Sequence, residues 1–171
     1  MPVRVTAKIP QSRLREALVY SDGNLFWAKT RKLAGCYKRR DGYGCLRLDN
    51  ISILIHRAVW IYHNGDIPDG SFIDHIDGNK SNNLLSNLRL ASSSQNLLNK
   101  GPRKKNSSGI KNVNWNSPTN SWRVKLVIDG KCRHFGLFAT IEEAKAVARA
   151  ARDKYHGAFA NHRSRGGGHS C

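Results

Sequence analysis

The chain is poor in negative charge. Only 12 of its 171 residues are Asp or Glu, against 29 Lys or Arg, which gives a formal charge of +17. An excess of that size makes polyanions the natural partners, with binding that weakens as salt rises. No uninterrupted apolar run reaches the roughly 18 residues that a bilayer-spanning helix needs. A nucleic acid is therefore expected as the partner, and no membrane. The opening MPVRVTAKIPQSRLREAL lacks the apolar centre of a secretory leader. Cysteine is scarce and scattered: Cys36, Cys45, Cys132 and Cys171 form no C-x-x-C pair. That spacing argues against a four-cysteine zinc site and for reduced thiols in a cytoplasm.

The length leaves room for one ordinary domain or two small ones, and a hydrophobic fraction of 39% supports a modest core. Residues 1–50 read as a basic, β-rich region. Leu14, Ala17 and Leu18 have helical spacing after Pro10; Asp22-Gly23 and Asp41-Gly42 are turns; Asn24–Trp27 and Tyr43–Leu48 are strand-like. Its cations, Arg39 and Arg40 among them, alternate with Trp27, Tyr37 and Tyr43. Two readings stand: backbone and stacking contacts to nucleic acid, or a small hairpin with a solvated basic face.

Residues 51–100 hold the most informative stretch, FIDHIDGNKSNNLLSNLRLASSSQN. Ile55, Ala58, Val59 and Tyr62 predict a helix over about 53–63, ended by Gly65 and Pro68. Ser71–His75 is then a short strand, Asp77-Gly78-Asn79 a turn and Asn87–Ala91 a second strand; Ser92–Ser94 offer caps for a short helix carrying Asn96. Asp74 and Asn96 are hard oxygen donors of the kind that hold a Mg²⁺-like ion. His75 can take a proton from water near neutral pH. Phosphodiester hydrolysis needs a nucleophilic water, charge neutralisation and help for the leaving oxygen. Each residue also has a structural reading: Asp74 as a turn cap, His75 as a hydrogen-bonded core residue, Asn96 as a helix-surface residue.

Residues 101–108 are a basic linker, with Arg103, Lys104 and Lys105 either tracking phosphates or forming a plain tether. Residues 109–163 form a self-contained pattern. Val113 and Trp115 mark one strand. Trp122, Val124, Leu126 and Ile128 alternate along a second, and 133–138 form a third after the Asp129-Gly130 turn. Thr140 with Glu143 is a capping box opening a helix with Ala144, Val147, Ala148, Ala151 and Tyr155 on one face, stopped by Gly157. Residues 164–171 read as a disordered tail.

The stretch from 51 to 100 resembles the HNH endonucleases of the ββα-metal type, in particular the zinc-free phage and intron homing enzymes. The resemblance rests on His56-Arg57-Ala58-Val59, Ile73 to Asn79, Asn82-Asn83, Asn87-Leu88-Arg89 and Gln95-Asn96. It implies His75 as general base and Asp74 and Asn96 as ligands of Mg²⁺ or Mn²⁺, with no zinc. Asn87 would brace the hairpin loop. Arg57 is either a phosphate contact or a helix-packing residue.

The pattern from 109 to 163 resembles the apetala-type (ethylene-response-factor) DNA-binding domain, through Val113, Trp122, Asp129-Gly130, Phe135–Phe138, Thr140 to Ala144 and the helix running on to Asn161. That resemblance implies a sheet laid into the major groove, with Lys111, Asn114, Arg123, Lys125, Lys131 and Arg133 as contacts; Trp115 and Trp122 serve the core or the DNA.

Together these readings predict an α+β protein: a ββα-metal domain behind an N-terminal hairpin region, then a three-stranded antiparallel sheet on one helix. The expected activity is cleavage of double-stranded DNA by a monomer or weak dimer, leaving 5′ phosphate and 3′ hydroxyl ends, in a host cytoplasm and encoded by a phage or mobile element. The alternatives are an inactive DNA-binding regulator and an RNA-binding protein of high charge.

Overall fold

The computed structural model describes residues 8–35, 37–38, 40–102 and 106–164. Arg39, Arg103, Lys104 and Lys105, and the tail from 165 onward, lie outside the described residues. The chain divides into two compact units, Met1–Ser93 and Ser94–Cys171.

The first unit opens with helix α1 (Gln11–Ala17) and the hairpin β1 (Leu18–Ser21)–β2 (Asn24–Trp27). A three-stranded sheet follows, made of β3 (Tyr37–Lys38), β4 (Gly44–Leu48) and β5 (Ile51–Leu54) in that order. Helix α2 (Ile55–Asn64) leads to the antiparallel hairpin β6 (Phe72–His75)–β7 (Leu88–Ala91). One core joins these pieces: Ile9, Leu14, Leu18, Leu25, Ala34, Leu46 and Leu48 pack with Ala58, Val59, Ile61, Ile67, Ile73 and Leu88. The sequence blocks on either side of residue 50 thus bury their apolar residues against each other.

The helix expected from about residue 53 begins at Ile55, because residues 51–54 are strand. Asp49 and Asn50 take φ of 48° and 62° and close a two-residue turn, so Cys45–Leu48 and Ile51–Leu54 pair as a hairpin. The alternation in Cys-Leu-Arg-Leu-Asp-Asn-Ile-Ser-Ile-Leu carries this signal, but the helical spacing from Ile55 onward overlaps it.

The second unit begins at Ser94, within the short helix α3 (Ser93–Leu98). Its sheet is β8 (Val113–Asn116), β9 (Ser121–Ile128) and β10 (Lys131–Phe138), antiparallel with β9 central. Helix α4 (Ile141–His156) packs on one face, and Val113, Val124, Leu126, Ile128, Ala144, Ala148 and Ala151 form the core between them. The expected details hold: Asp129 and Gly130 both have positive φ, and Thr140 and Glu143 form the reciprocal capping box. Ser164 pairs with Ile110, so pairing includes the first residue of the expected tail.

Candidate active site

Neighbours along a strand point to opposite faces, so Asp74 and His75 can serve one site only where the strand ends. Strand β6 does end at His75. The turn that follows is closed by Gly78 N–H donating to the His75 carbonyl and Ile76 N–H to the Asn87 carbonyl, at 2.9 and 2.8 Å. Both side chains are buried. Asp74 faces its cross-strand partner Arg89, whose Nε and Nη2 donate to Asp74 Oδ2 at 3.0 and 2.8 Å. Asp74 lies near enough to act electrostatically on both His75 and Tyr43.

The His75 ring sits among aromatic neighbours. His56, from α2, meets it edge-on with centroids 5.0 Å apart, and Tyr43 lies 6.0 Å away. Lys80 Nζ stands 4.5 Å from the Tyr43 ring centre. Burial pushes His75 below its ordinary value, against the opposing pull of Asn83, Asp77 and Asp74. His56 is driven down to about 3, first by burial and then by the charges of His75 and Arg57. Tyr43 is pushed up by burial and by the carboxylates Asp74 and Asp41. Burial thus favours the neutral form of both histidines, the state a general base requires.

The loop from Ile76 to Asn87 is held by its own asparagines. Asn87 Nδ2 donates to Asp77 Oδ1 and to the Asn82 carbonyl, both at 2.9 Å, and its Oδ1 accepts from Asp77 N–H at 3.0 Å. Asn82 Nδ2 donates to Asp77 Oδ2 at 2.7 Å. Burial pushes Asp77 up, but bonds from Asn82, Asn87 and the Asn79 amide outweigh it and hold its carboxyl below the usual range. Asn83, buried beside this brace, meets His75 Nε2 through Oδ1 at 3.1 Å. In the sequence Asn83 stands out only as part of the Asn82-Asn83 pair. The adjacent asparagines downstream of His75 were its one signal.

Asn96 is half-buried on α3, within the second unit. Of the other predicted contacts in the first unit, Arg40 is exposed and Arg57 is half-buried on α2 beside His56.

In the second unit Asn114 is paired with Arg123, which neighbours Lys125 on the sheet face opposite the core; Trp115, Val127 and Leu137 are exposed. Lys131 and Arg133 are exposed but pair with Ile128 and Leu126, whose side chains face the core. Register therefore puts them on the other side from Arg123 and Lys125. Lys111 is turned inward: its ammonium donates to the Leu98 and Lys100 carbonyls, and burial, then Arg152 and Arg163, push it down to about 8. A lysine spent on two carbonyls braces the fold at that point. Arg152, not singled out in the sequence, is buried on α4 and donates to the Lys111 carbonyl at 2.7 Å.

The donor set fits a hard divalent ion. Among the described residues no three His, Cys, Asp or Glu side chains are grouped so that they could hold a metal ion by themselves. Asp74 offers a buried carboxylate whose surroundings already hold one cation, the Arg89 guanidinium, against it.

Comparison with known proteins gives a consistent result. A family model described as HNH endonuclease matches residues 54–98. The chain is 40% identical over 108 residues to Protein 3.8 of Escherichia phage T7, which covers 63% of this chain and 88% of that one. It is 30% identical over 125 residues to a protein of Acanthamoeba polyphaga mimivirus described as an uncharacterised HNH endonuclease, with 72% of this chain and 64% of that one covered. The solved structure titled DNA binding and cleavage by the HNH homing endonuclease I-HmuI matches with 31% identity and a TM-score of 0.41, over 46% of this chain and 48% of that one.

Proposed function

We propose, because this chain belongs to the HNH endonuclease family, that it is a divalent-metal-dependent nuclease acting on double-stranded DNA, with His75 as its general base. The observation that carries this reading is a buried His75 next to the buried carboxylate of Asp74, at the end of a strand whose following loop is braced by hydrogen bonds. Asp74 would hold the ion, with Asn96 as the second oxygen ligand that the family resemblance supplies. When bound, Mg²⁺ or Mn²⁺ neutralises the scissile phosphate and stabilises the departing 3′ oxygen. His75 takes a proton from the attacking water, so the products carry 5′ phosphate and 3′ hydroxyl ends. Asn87 keeps the loop and hence the base in place. Tyr43 and Lys80 stand beside the base as candidate contacts to the DNA backbone.

The sheet face of Asn114, Arg123 and Lys125 anchors the enzyme on duplex DNA in the manner of the apetala-type domain, and Arg40 adds backbone contact. Lys131 and Arg133 serve the DNA from the sheet edge. One base per chain makes a monomer a nicking enzyme, acting in a host cytoplasm. No helix among the described residues is long and apolar enough to cross a membrane.

One observation favours a second reading, a DNA-binding regulator without activity: Arg89 already satisfies one Asp74 oxygen. Plasmid nicking separates the two. The wild type is expected to convert supercoiled plasmid to open circle with Mg²⁺ or Mn²⁺, yielding ends that a ligase reseals. His75→Ala should lose about 10²- to 10⁴-fold in rate. If wild-type protein leaves plasmid supercoiled with Mg²⁺, Mn²⁺ and Co²⁺ alike, the nuclease reading is wrong.

A further inference from the structure

A histidine base has two ring nitrogens, and only the one without hydrogen can accept a proton. Which one that is depends on what the other nitrogen touches. In this site the answer comes from Asn83. Its Oδ1 lies 3.1 Å from His75 Nε2, with both residues buried. An amide oxygen can only accept, so this contact is a hydrogen bond only if Nε2 carries the hydrogen.

The orientation of the amide is decided by its other end. Asn83 Nδ2 points at the Ser81 carbonyl, 3.4 Å away. Rotating the amide by half a turn would set two carbonyl oxygens against each other there. The observed placement of oxygen and nitrogen is therefore the favourable one.

The backbone that carries Asn83 is fastened on both sides. On one side the preceding Asn82 gives its carbonyl to Asn87 at 2.9 Å and its side chain to Asp77 at 2.7 Å. On the other side Leu85 N–H donates to the Tyr20 hydroxyl at 3.1 Å. The β1–β2 turn comes so close that a Cβ on Gly23 would stand 3.0 Å from Leu84 N and 3.2 Å from the Asn83 carbonyl carbon. His56 and Tyr43 limit how the imidazole can turn. Four separate constraints thus converge on one hydrogen bond.

We propose that Asn83 is a positioning residue that holds His75 in the Nε2–H tautomer and so makes Nδ1 the nitrogen that receives the proton from the attacking water. The tautomer assignment stands on this geometry alone, and its catalytic meaning rests on the reading of His75 as base. Asn87 acts on the base through the same chain: it fixes Asn82, and with it the peptide that presents Asn83. A neutral ring left without a partner on Nε2 populates both tautomers, and in one of them the proton already occupies Nδ1.

The test is the nitrogen spectrum of the histidine rings in the full-length protein, labelled with ¹⁵N and recorded at neutral pH without metal. His75 is assigned as the signal that His75→Gln removes. The expected result is a protonated Nε2 and an unprotonated Nδ1. In Asn83→Leu, which keeps the bulk and removes the acceptor, the His75 signals should shift towards a tautomer mixture. In plasmid cleavage the same variant should lose about 10- to 100-fold in kcat with KM for DNA little changed. Asn83→Asp, which retains an acceptor oxygen, should keep the Nε2–H tautomer. A wild-type spectrum with Nδ1–H, or an Asn83→Leu protein with both spectrum and kcat unchanged, overturns the proposal. The wild-type spectrum stands even if Asn83→Leu does not fold. If His75→Ala still cleaves DNA, the reading of His75 as base falls, while the tautomer is judged on the spectrum.

Discussion

At the scale of single residues, the site depends on two histidines kept from protonating by burial. His56 is the stronger case, with an ordinary value of 6.5 lowered to about 3. An unfolded chain takes up the proton near 6.5 and the folded one only near 3, so between those values the unfolded state binds more protons. Stability therefore falls as pH falls through that window, by up to about 1.4 kcal/mol per pH unit from this group. His75, also lowered, contributes with the same sign. Denaturant titrations at pH 7 and pH 5 should show His56→Leu losing less stability between the two than the wild type, by on the order of 2 kcal/mol. An equal loss in both proteins would mean that His56 is not what the acid side titrates. Asp74 and His75 stand out in the sequence through the motif around them, since each taken alone also has a structural reading. Asn83 was not legible. The work of an asparagine depends on which way its amide faces, and that is decided by Ser81 and His75 together in three dimensions.

Secondary structure was easiest to read where a single pattern dominated. The α4 helix has a small-residue apolar face from Ala144 to Ala151 and a full capping box, and Asp129-Gly130 lies between two paired strands. The β4–β5 hairpin was missed because strand alternation and helical spacing overlap at Ile53 to Ile55. The inward turn of Lys111 was missed for another reason: a lysine next to a basic linker looks like a phosphate contact until the carbonyls it meets are known. The β1–β2 hairpin shows what an element can do beyond pairing. Its Gly23 has φ of 81° and lies against the Asn83–Leu84 backbone. Gly23→Ala must both strain that turn and push on the loop beside the base, for a cost of about 1–3 kcal/mol. Thermal unfolding should report this as a fall of several degrees. A variant with unchanged Tm would show that the contact is loose.

On the scale of the whole molecule, charge and cores matter most. An excess of +17 makes affinity for DNA steeply dependent on salt. Replacing Arg123 or Lys125 by Ala should lower the slope of log Kd against log salt by about 1 each, whereas Lys111→Ala should leave the slope unchanged and reduce stability. Equal slopes for all three variants would remove the sheet face from the binding surface. The family match spans residues 54–98, yet the core around β6 draws on Leu14, Leu18, Leu25, Leu46 and Leu48 from outside it. This has a consequence for transplantation. The matched stretch is a recognisable signature but not a part that can be lifted out: residues 51–100 expressed alone should stay unfolded by circular dichroism, and a folded fragment would contradict the shared core. Anyone grafting this stretch onto a new targeting domain has to move Leu14, Leu18, Leu25, Leu46 and Leu48, and the elements that carry them, along with His75.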